Sequence, residues 1–137
     1  MRMLVLGGTS FVGRAIVGAA LEAGHEVTTL NRGRTGDDMA GAETRRADRR
    51  DADAVRRALG DDAWDAAFDT WSAEARPVST AADLLSDRVG HYGYVSSRSV
   101  YTWPIPAGAD ESAPVVAGDP WGEDATDYAA AKRGGEL

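Results

Sequence analysis

The first thirty residues constrain this chain more than any other stretch. "MLVL" (3–6) is a short apolar run that stops at Gly7-Gly8, and "FVGRAIVGAALEA" (11–23) then sets Val12, Ile16, Ala19, Ala20 and Ala23 at helical spacing. "AGH" (23–25) supplies a helix-ending glycine, and "EVTTL" (26–30) is rich in β-branched residues. Strand, glycine turn, helix and strand in so short a span form a βαβ unit, whose crossover is expected to be right-handed. An apolar run without polar alternation suits a strand buried on both faces, as in a parallel sheet.

The alternation continues. "ETRRAD" (43–48) is a third strand, "DADAVRRALG" (51–60) a helix with an acidic start and a glycine stop, and "DAAFDTW" (65–71) a fourth strand. Residues 77–85 have helical character, and "HYGYVSS" (91–97) reads as a fifth strand ending in hydroxyls. Residues 102–122 hold four of the five prolines and predict a long irregular loop. A last helix is expected from Thr126-Asp127 through about three turns. One α/β domain over residues 1–137 follows, an open parallel sheet with helices on both faces. Such sheets bind ligands at the carboxyl ends of their strands, here residues 7–13, 31–34, 48, 69–72 and 96–99.

Composition narrows the chemistry. With no cysteine and two histidines, disulfides, thiolate metal sites and cysteine nucleophiles are excluded, and no metal site is expected. A net charge of -7 opposes general binding to nucleic acid or to an anionic membrane surface, so a bound phosphate needs a local site. The opening apolar run is too short for a signal peptide or a membrane helix, and a cytoplasmic protein is expected.

Gly7, Ser10 and Gly13 occupy the three positions of a GxxGxxG turn, with serine at the middle one. The first glycine permits the bend, the third lets helix and strand approach, and the free N–H groups of the helix suit a pyrophosphate. Gly7, Thr9, Ser10, Phe11, Val12 and Gly13 are therefore candidate dinucleotide contacts, with the Ser10 hydroxyl donating to a phosphate oxygen. The bland alternative is a structural turn. After the second strand, an acidic residue would hold the ribose hydroxyls of NAD, whereas an arginine accommodates a 2'-phosphate. "LNRGR" offers Asn31 and then Arg32, which favours NADP over NAD unless these arginines merely solvate a loop. Arg14 faces either phosphate or solvent.

Of fifteen basic residues only Lys132 is lysine, and it stands four residues after Tyr128, on the same helical face. A phenol serves as an acid–base group at neutral pH only when a cation beside it stabilises the phenolate, which this pair supplies. The competing possibility is an ordinary surface pair.

With "GGTSFVG", "YVSSRSVY" and "DYAAAK" in place, the chain resembles the N-terminal part of an extended or atypical short-chain dehydrogenase/reductase, the group that includes NAD(P)-dependent epimerases, dehydratases and carbonyl reductases. The resemblance implies a Rossmann-type fold and hydride transfer at a carbonyl or alcohol carbon. Ser97 would orient the substrate, Tyr128 would be the acid–base group, and Lys132 would bind the nicotinamide ribose. In "ADRRD" it makes Asp48 the adenine contact, and after the fourth strand it puts Thr70 and Trp71 of "DTWS" on the cofactor pocket wall, where the family commonly has "HLAA". "VYT" stands where "VYG" is common. Arg98-Ser99 occupies the place of the Asp-Glu pair of sugar dehydratases, which counts against dehydration.

Family members continue with further strands and a substrate domain, so the resemblance implies a fragment truncated before them, with the fifth strand as an open edge prone to self-association. The partners implied are a small-molecule carbonyl, alcohol or nucleotide-sugar-like substrate and, for the full-length protein, a second copy in a homodimer. Two alternatives remain open: a non-catalytic NADP-binding sensor module and an inactive truncated product.

Overall fold

The structure, a computed structural model, describes residues 1–137. Its elements in chain order are β1 (Arg2–Leu6), α1 (Phe11–Glu22), β2 (Glu26–Asn31), β3 (Glu43–Arg46), α2 (Ala52–Leu59), β4 (Trp64–Asp69), α3 (Arg76–Leu85), β5 (Val89–Tyr94) and α4 (Tyr128–Gly134). A 3-10 turn covers Arg98–Val100. The five strands form one parallel sheet in the order β3-β2-β1-β4-β5. This is the Rossmann order, with its switch point between β1 and β4, where chain connections leave in opposite directions and open a crevice.

Two compact units emerge: residues Met1–Trp71 with Thr80–Val95, and residues Ser72–Ser79 with Ser96–Leu137. In the first, β1 explains its own uninterrupted apolar sequence. Leu4 and Leu6 pack with Leu30, Ala67, Val55 and Leu59 of α2, and Ala81 and Leu85 of α3. Met3 and Val5 pack with Val27 and with Val17 and Ala20 of α1. Helices therefore cover both faces, and each fully buried leucine contributes on the order of 1.5–3 kcal/mol. Asp51 starts α2 by accepting the Ala54 N–H at 2.9 Å. At the other end of α2, Arg45 donates to the carbonyls of Ala58 (3.1 Å) and Leu59 (2.9 Å), and Arg88 to that of Gly60 (2.8 Å). Cations there satisfy carbonyls that lack helical partners.

The second unit is mostly irregular, and short-range bonds shape its loops. Asp110 accepts from the N–H and hydroxyl of Ser112, Asp119 from the Trp121 N–H, and Asp124 from the N–H and hydroxyl of Thr126. These are Asx turns, which let one carboxylate replace a backbone partner. Asp127 then caps α4 by accepting the Ala130 N–H at 3.0 Å. A Cβ at Gly118 would lie 2.5 Å from the Gly134 N, so the loop and α4 touch backbone to backbone. No helix is long and apolar enough to cross a membrane.

Several boundaries differ from the sequence pattern, and β3 ends at Arg46 instead of reaching Asp48. β4 stops at Asp69 instead of reaching Trp71, because the Asp69 carboxylate accepts the Trp71 N–H at 2.9 Å and turns the chain out of the sheet. β5 runs 89–94 in register with β4, from Val89 opposite Trp64 to Tyr94 opposite Asp69, so its serines lie beyond the strand. α4 has seven residues, about two turns, because Gly134-Gly135 ends it.

Candidate active site

In the first unit the chain crosses the carboxyl end of β1 as a tight turn. Gly7 has φ +127° and Gly8 φ +99°, conformations that favour glycine. Thr70 donates its hydroxyl to the Leu6 carbonyl at 3.0 Å, and a Cβ on Gly7 would meet that hydroxyl at 2.2 Å. A Cβ on Gly13 would lie 2.7 Å from the Gly8 N, which is the close helix approach expected of the third glycine. Ser10 is the N-cap of α1, with φ -142° and ψ 153°, an extended conformation that any residue adopts. Serine is therefore accommodated where glycine is common. Its hydroxyl makes no cap bond and the first turn carries no acidic side chain, so no carboxylate of that turn competes with an anion for the leading N–H groups of this twelve-residue helix.

Thr9 is buried, Val12 is exposed and Phe11 is 91% exposed at φ +29°, a strained value for a side chain with a Cβ. The loop after β2 is latched onto this turn. The Thr9 and Thr35 hydroxyls are 3.0 Å apart, and a Cβ on Gly36 would sit 2.4 Å from the Thr9 carbonyl. Arg14 donates to the Asp37 carbonyl at 3.1 Å, which settles its direction toward the loop. Asn31 is buried and organises the same loop, accepting from the Gly33 N–H at 2.8 Å and from Arg46, and donating to Asp38 at 3.2 Å. The Arg46 hydrogen bond holds the Asp38 carboxyl below its ordinary range. Gly8, Thr35, Gly36, Asp38 and Arg46 are missing from the sequence-derived candidates. The two glycines within "NRGRTG", Gly33 and Gly36, were the available signal, and both adopt positive φ.

Arg32, Asp48 and Trp71, far apart in sequence, come together. The Arg32 guanidinium lies 3.9 Å from the Asp48 carboxylate and 5.9 Å from the Trp71 ring centre. Below them Arg49 pairs bidentately with Asp69, at 3.1 and 2.6 Å, and the Tyr92 hydroxyl donates to the same carboxylate at 2.6 Å. Asp69 is fully buried and Arg49 is 4% exposed. Burial, then the Asp69 charge, pushes the Tyr92 phenol well above its ordinary range. Burial alone would lower the Arg49 guanidinium, but Asp69 beside it raises it above its usual value. This buried knot joins the chain after β3 to β4 and β5. The sequence showed no sign of it, since Arg49 is one arginine among many.

In the second unit, the three proposed reaction residues lie on α4 and on the 3-10 turn against which α4 packs. Tyr128, first residue of α4, is 45% exposed, whereas Lys132 one turn on is 2% exposed. Ser97 caps the 3-10 turn by accepting the Ser99 N–H at 3.1 Å, which leaves its own proton to donate. Its neighbour Ser96 donates to Glu136, which distinguishes the two hydroxyls. A cavity of about 330 Å³ beside α4 is lined by Asp119, Glu123, Asp124 and Asp127 and by none of these three residues.

The sequence profile of the NAD dependent epimerase/dehydratase family matches residues 3–137. The chain belongs to this family. Its fold is similar to that of the Bordetella bronchiseptica enzyme WbmG in complex with NAD, with TM-score 0.81 and 19% identity over 99% of this chain and 48% of that one. It is similar also to a Thermus thermophilus UDP-glucose 4-epimerase in complex with NAD, with TM-score 0.73 and 24% identity over 99% of this chain and 49% of that one. In sequence it is 28% identical over 114 residues to the chloroplast stem-loop binding protein of 41 kDa b of Arabidopsis thaliana, covering 73% of this chain and 30% of that protein. The chain thus spans about half the length of these solved structures and less than a third of the curated relative.

Proposed function

We propose that this chain is the cofactor-binding half of an NAD(P)-dependent reductase or epimerase of the short-chain dehydrogenase/reductase type, working in the cytoplasm on a carbonyl or alcohol and preferring NADP. The single observation that carries the reading is the disposition of α4: an exposed phenol and, one turn on, a buried ammonium, on a helix packed against the turn that Ser97 caps. Lys132 is buried, and in a low-dielectric setting a cation favours a nearby phenolate more than it would in water.

The residues present fit a dinucleotide, since the open N-terminus of α1 and the glycine turn form a donor set for a pyrophosphate. Gly7, Thr9, Ser10, Phe11, Val12 and Gly13 line that turn, Thr70 and Trp71 follow β4, and Arg32 with Asp48 stands at the ribose end. When bound, nicotinamide supplies or accepts the hydride. Ser97 donates a hydrogen bond to the substrate oxygen and orients it. Tyr128 gives a proton to that oxygen in reduction and takes it back in oxidation, while Lys132 stabilises the phenolate and reaches the ribose hydroxyls. Asn31 acts by holding the loop that carries Arg32.

In the full-length protein Tyr128→Phe should lower NADPH-dependent turnover of a carbonyl panel by roughly 10²–10⁴-fold, the usual share of general acid–base catalysis. Unchanged turnover refutes the assignment. A second reading, dinucleotide binding without turnover, is favoured by the Arabidopsis relative, whose name gives a binding property and no reaction. It gains if the wild-type protein binds NADPH and exchanges no hydride with any member of the panel. Stem-loop binding itself is not carried over, because a net charge of -7 opposes a polyanion.

A further inference from the structure

The second unit carries three arginines, and two of them are matched by carboxylates: Arg76 pairs with Glu123, and Arg133 with Glu136 at 2.9 Å. Arg98 is the third. Its guanidinium lies 4.6 Å from the centre of the Trp103 ring, a cation–π contact, with no carboxylate in salt-bridge reach and no hydrogen-bond acceptor. Both side chains are exposed. The loop that follows has an acid of its own, but Asp110 accepts from the N–H and hydroxyl of Ser112 instead.

The backbone under this pair is fixed. The Val100 N–H donates to the Ser97 carbonyl and the Tyr101 N–H to the Arg98 carbonyl, each at 3.2 Å, which closes the 3-10 turn. Beside Trp103, the Thr102 N–H donates to the Pro114 carbonyl and the Val116 N–H to the Val100 carbonyl, both at 2.8 Å, around an antiparallel bridge between Tyr101 and Val115. Arg98 also follows Ser97 directly. Consecutive Cα atoms are about 3.8 Å apart, so a molecule whose oxygen meets the Ser97 hydroxyl needs only a few more atoms to reach the Arg98 guanidinium. A guanidinium stacked on an aromatic face keeps its N–H fork pre-oriented for two parallel bonds to a carboxylate. One guanidinium balances one carboxylate charge, whereas a phosphate monoester carries nearly two.

We propose that Arg98 is a specificity-determining residue that pairs with a carboxylate of the substrate, and that Trp103 is the positioning residue that holds its guanidinium beside Ser97. The proposal rests on the reductase-or-epimerase reading and deepens it, narrowing the substrate from any carbonyl or alcohol to an oxo acid or hydroxy acid.

The test is calorimetric titration of the full-length protein with benzoylformate and acetoacetate, each beside its methyl ester, with NADP+ or NAD+ present so that no hydride moves. The wild type should bind each acid roughly tenfold more tightly than its ester, the scale of one charge-assisted contact. Arg98→Gln should bind acid no better than ester, and Arg98→Lys, with the charge but without the fork, should keep about threefold of the preference. If Arg98→Gln does not fold, Arg98→Lys carries the same test. Trp103→Leu should lose most of the preference and Trp103→Phe should restore part of it, since a smaller aromatic face still stacks. A wild type that binds acid and ester alike, or neither, overturns the proposal, as does a preference that survives Arg98→Gln. Inorganic phosphate that displaces benzoylformate at equal concentration overturns the choice of a carboxylate. No preference for acids, with turnover that depends on Tyr128, leaves the reductase-or-epimerase reading standing. A preference for acids, with turnover unchanged in Tyr128→Phe, overturns that reading alone.

Discussion

An indole stands at each end of β4, Trp64 as its first residue and Trp71 two residues past its last, and each is ringed by three guanidiniums. At the amino end Trp64 is 4% exposed and sits among Arg45, Arg88 and Arg2, at 5.5, 5.9 and 6.0 Å. All three donate to backbone carbonyls between residues 58 and 63: Arg45 to Leu59, Arg88 to Gly60 and Asp62, Arg2 to Ala63. At the carboxyl end Arg49 is bound into the buried scaffold through its guanidinium and Asp69, while Arg32, beside Asp48, is exposed. The same side-chain cluster thus does two jobs. Where helix α2 ends with unsatisfied carbonyls, arginine completes the fold. Where α1 begins with unsatisfied N–H groups, arginine accompanies the turn proposed to hold an anion.

The comparison breaks first at the buried knot. Asp69→Ala leaves the Arg49 charge without its carboxylate inside the protein and should cost about 3–5 kcal/mol in a denaturant titration. A loss below 1 kcal/mol would mean that water reaches Arg49 and that the carboxyl end is not a rigid platform. Gly7→Ala comes next. It needs a positive φ and drives a Cβ into Thr70, so about 2–3 kcal/mol of stability should go, together with dinucleotide binding. At the amino end Arg45→Met should cost about 2 kcal/mol by uncapping α2 while leaving any preference for a 2'-phosphate intact. Arg32→Gln should do the reverse, with stability within about 0.5 kcal/mol. If both variants lose stability and neither loses preference, the two arginine rings have one job after all.

A pH dependence sharpens the same contrast. The folded-state pKa of Tyr92 lies above its unfolded value near 10, so its contribution to stability is full below pH 10 and declines as pH rises above it. Unfolding free energy should fall there by about 1.4 kcal/mol per pH unit from this group, and Tyr92→Phe should be flatter by that amount. Equal slopes would show that the phenol ionises in the folded protein. The smallest effect separates the two helix starts. Asp127→Ala removes a real cap bond and should cost about 1 kcal/mol, seen as faster hydrogen exchange in α4. Ser10→Gly removes none and should shift stability by only a few tenths of a kcal/mol, with dinucleotide affinity kept within about tenfold.

Most of the fold was written in local pattern. The apolar run at 3–6, the helical spacing after it and the glycines at 7, 24 and 60 dictate where strands and helices start and stop, because periodicity and positive φ are properties of a few adjacent residues. The same holds for Tyr128 and Lys132, neighbours on a helix face at a spacing of four. Tertiary structure alone decided that Arg45, Arg49 and Arg88 would be structural, since nothing along the chain sets these three apart from the other arginines outside the loop after β2. It decided also that Asp69 would end β4 and anchor Arg49 and Tyr92, and that Lys132 would be buried while Tyr128 stayed exposed. A side chain's length and charge are fixed by its identity, but the direction it takes and the carboxylate it meets depend on elements brought beside it by sheet order.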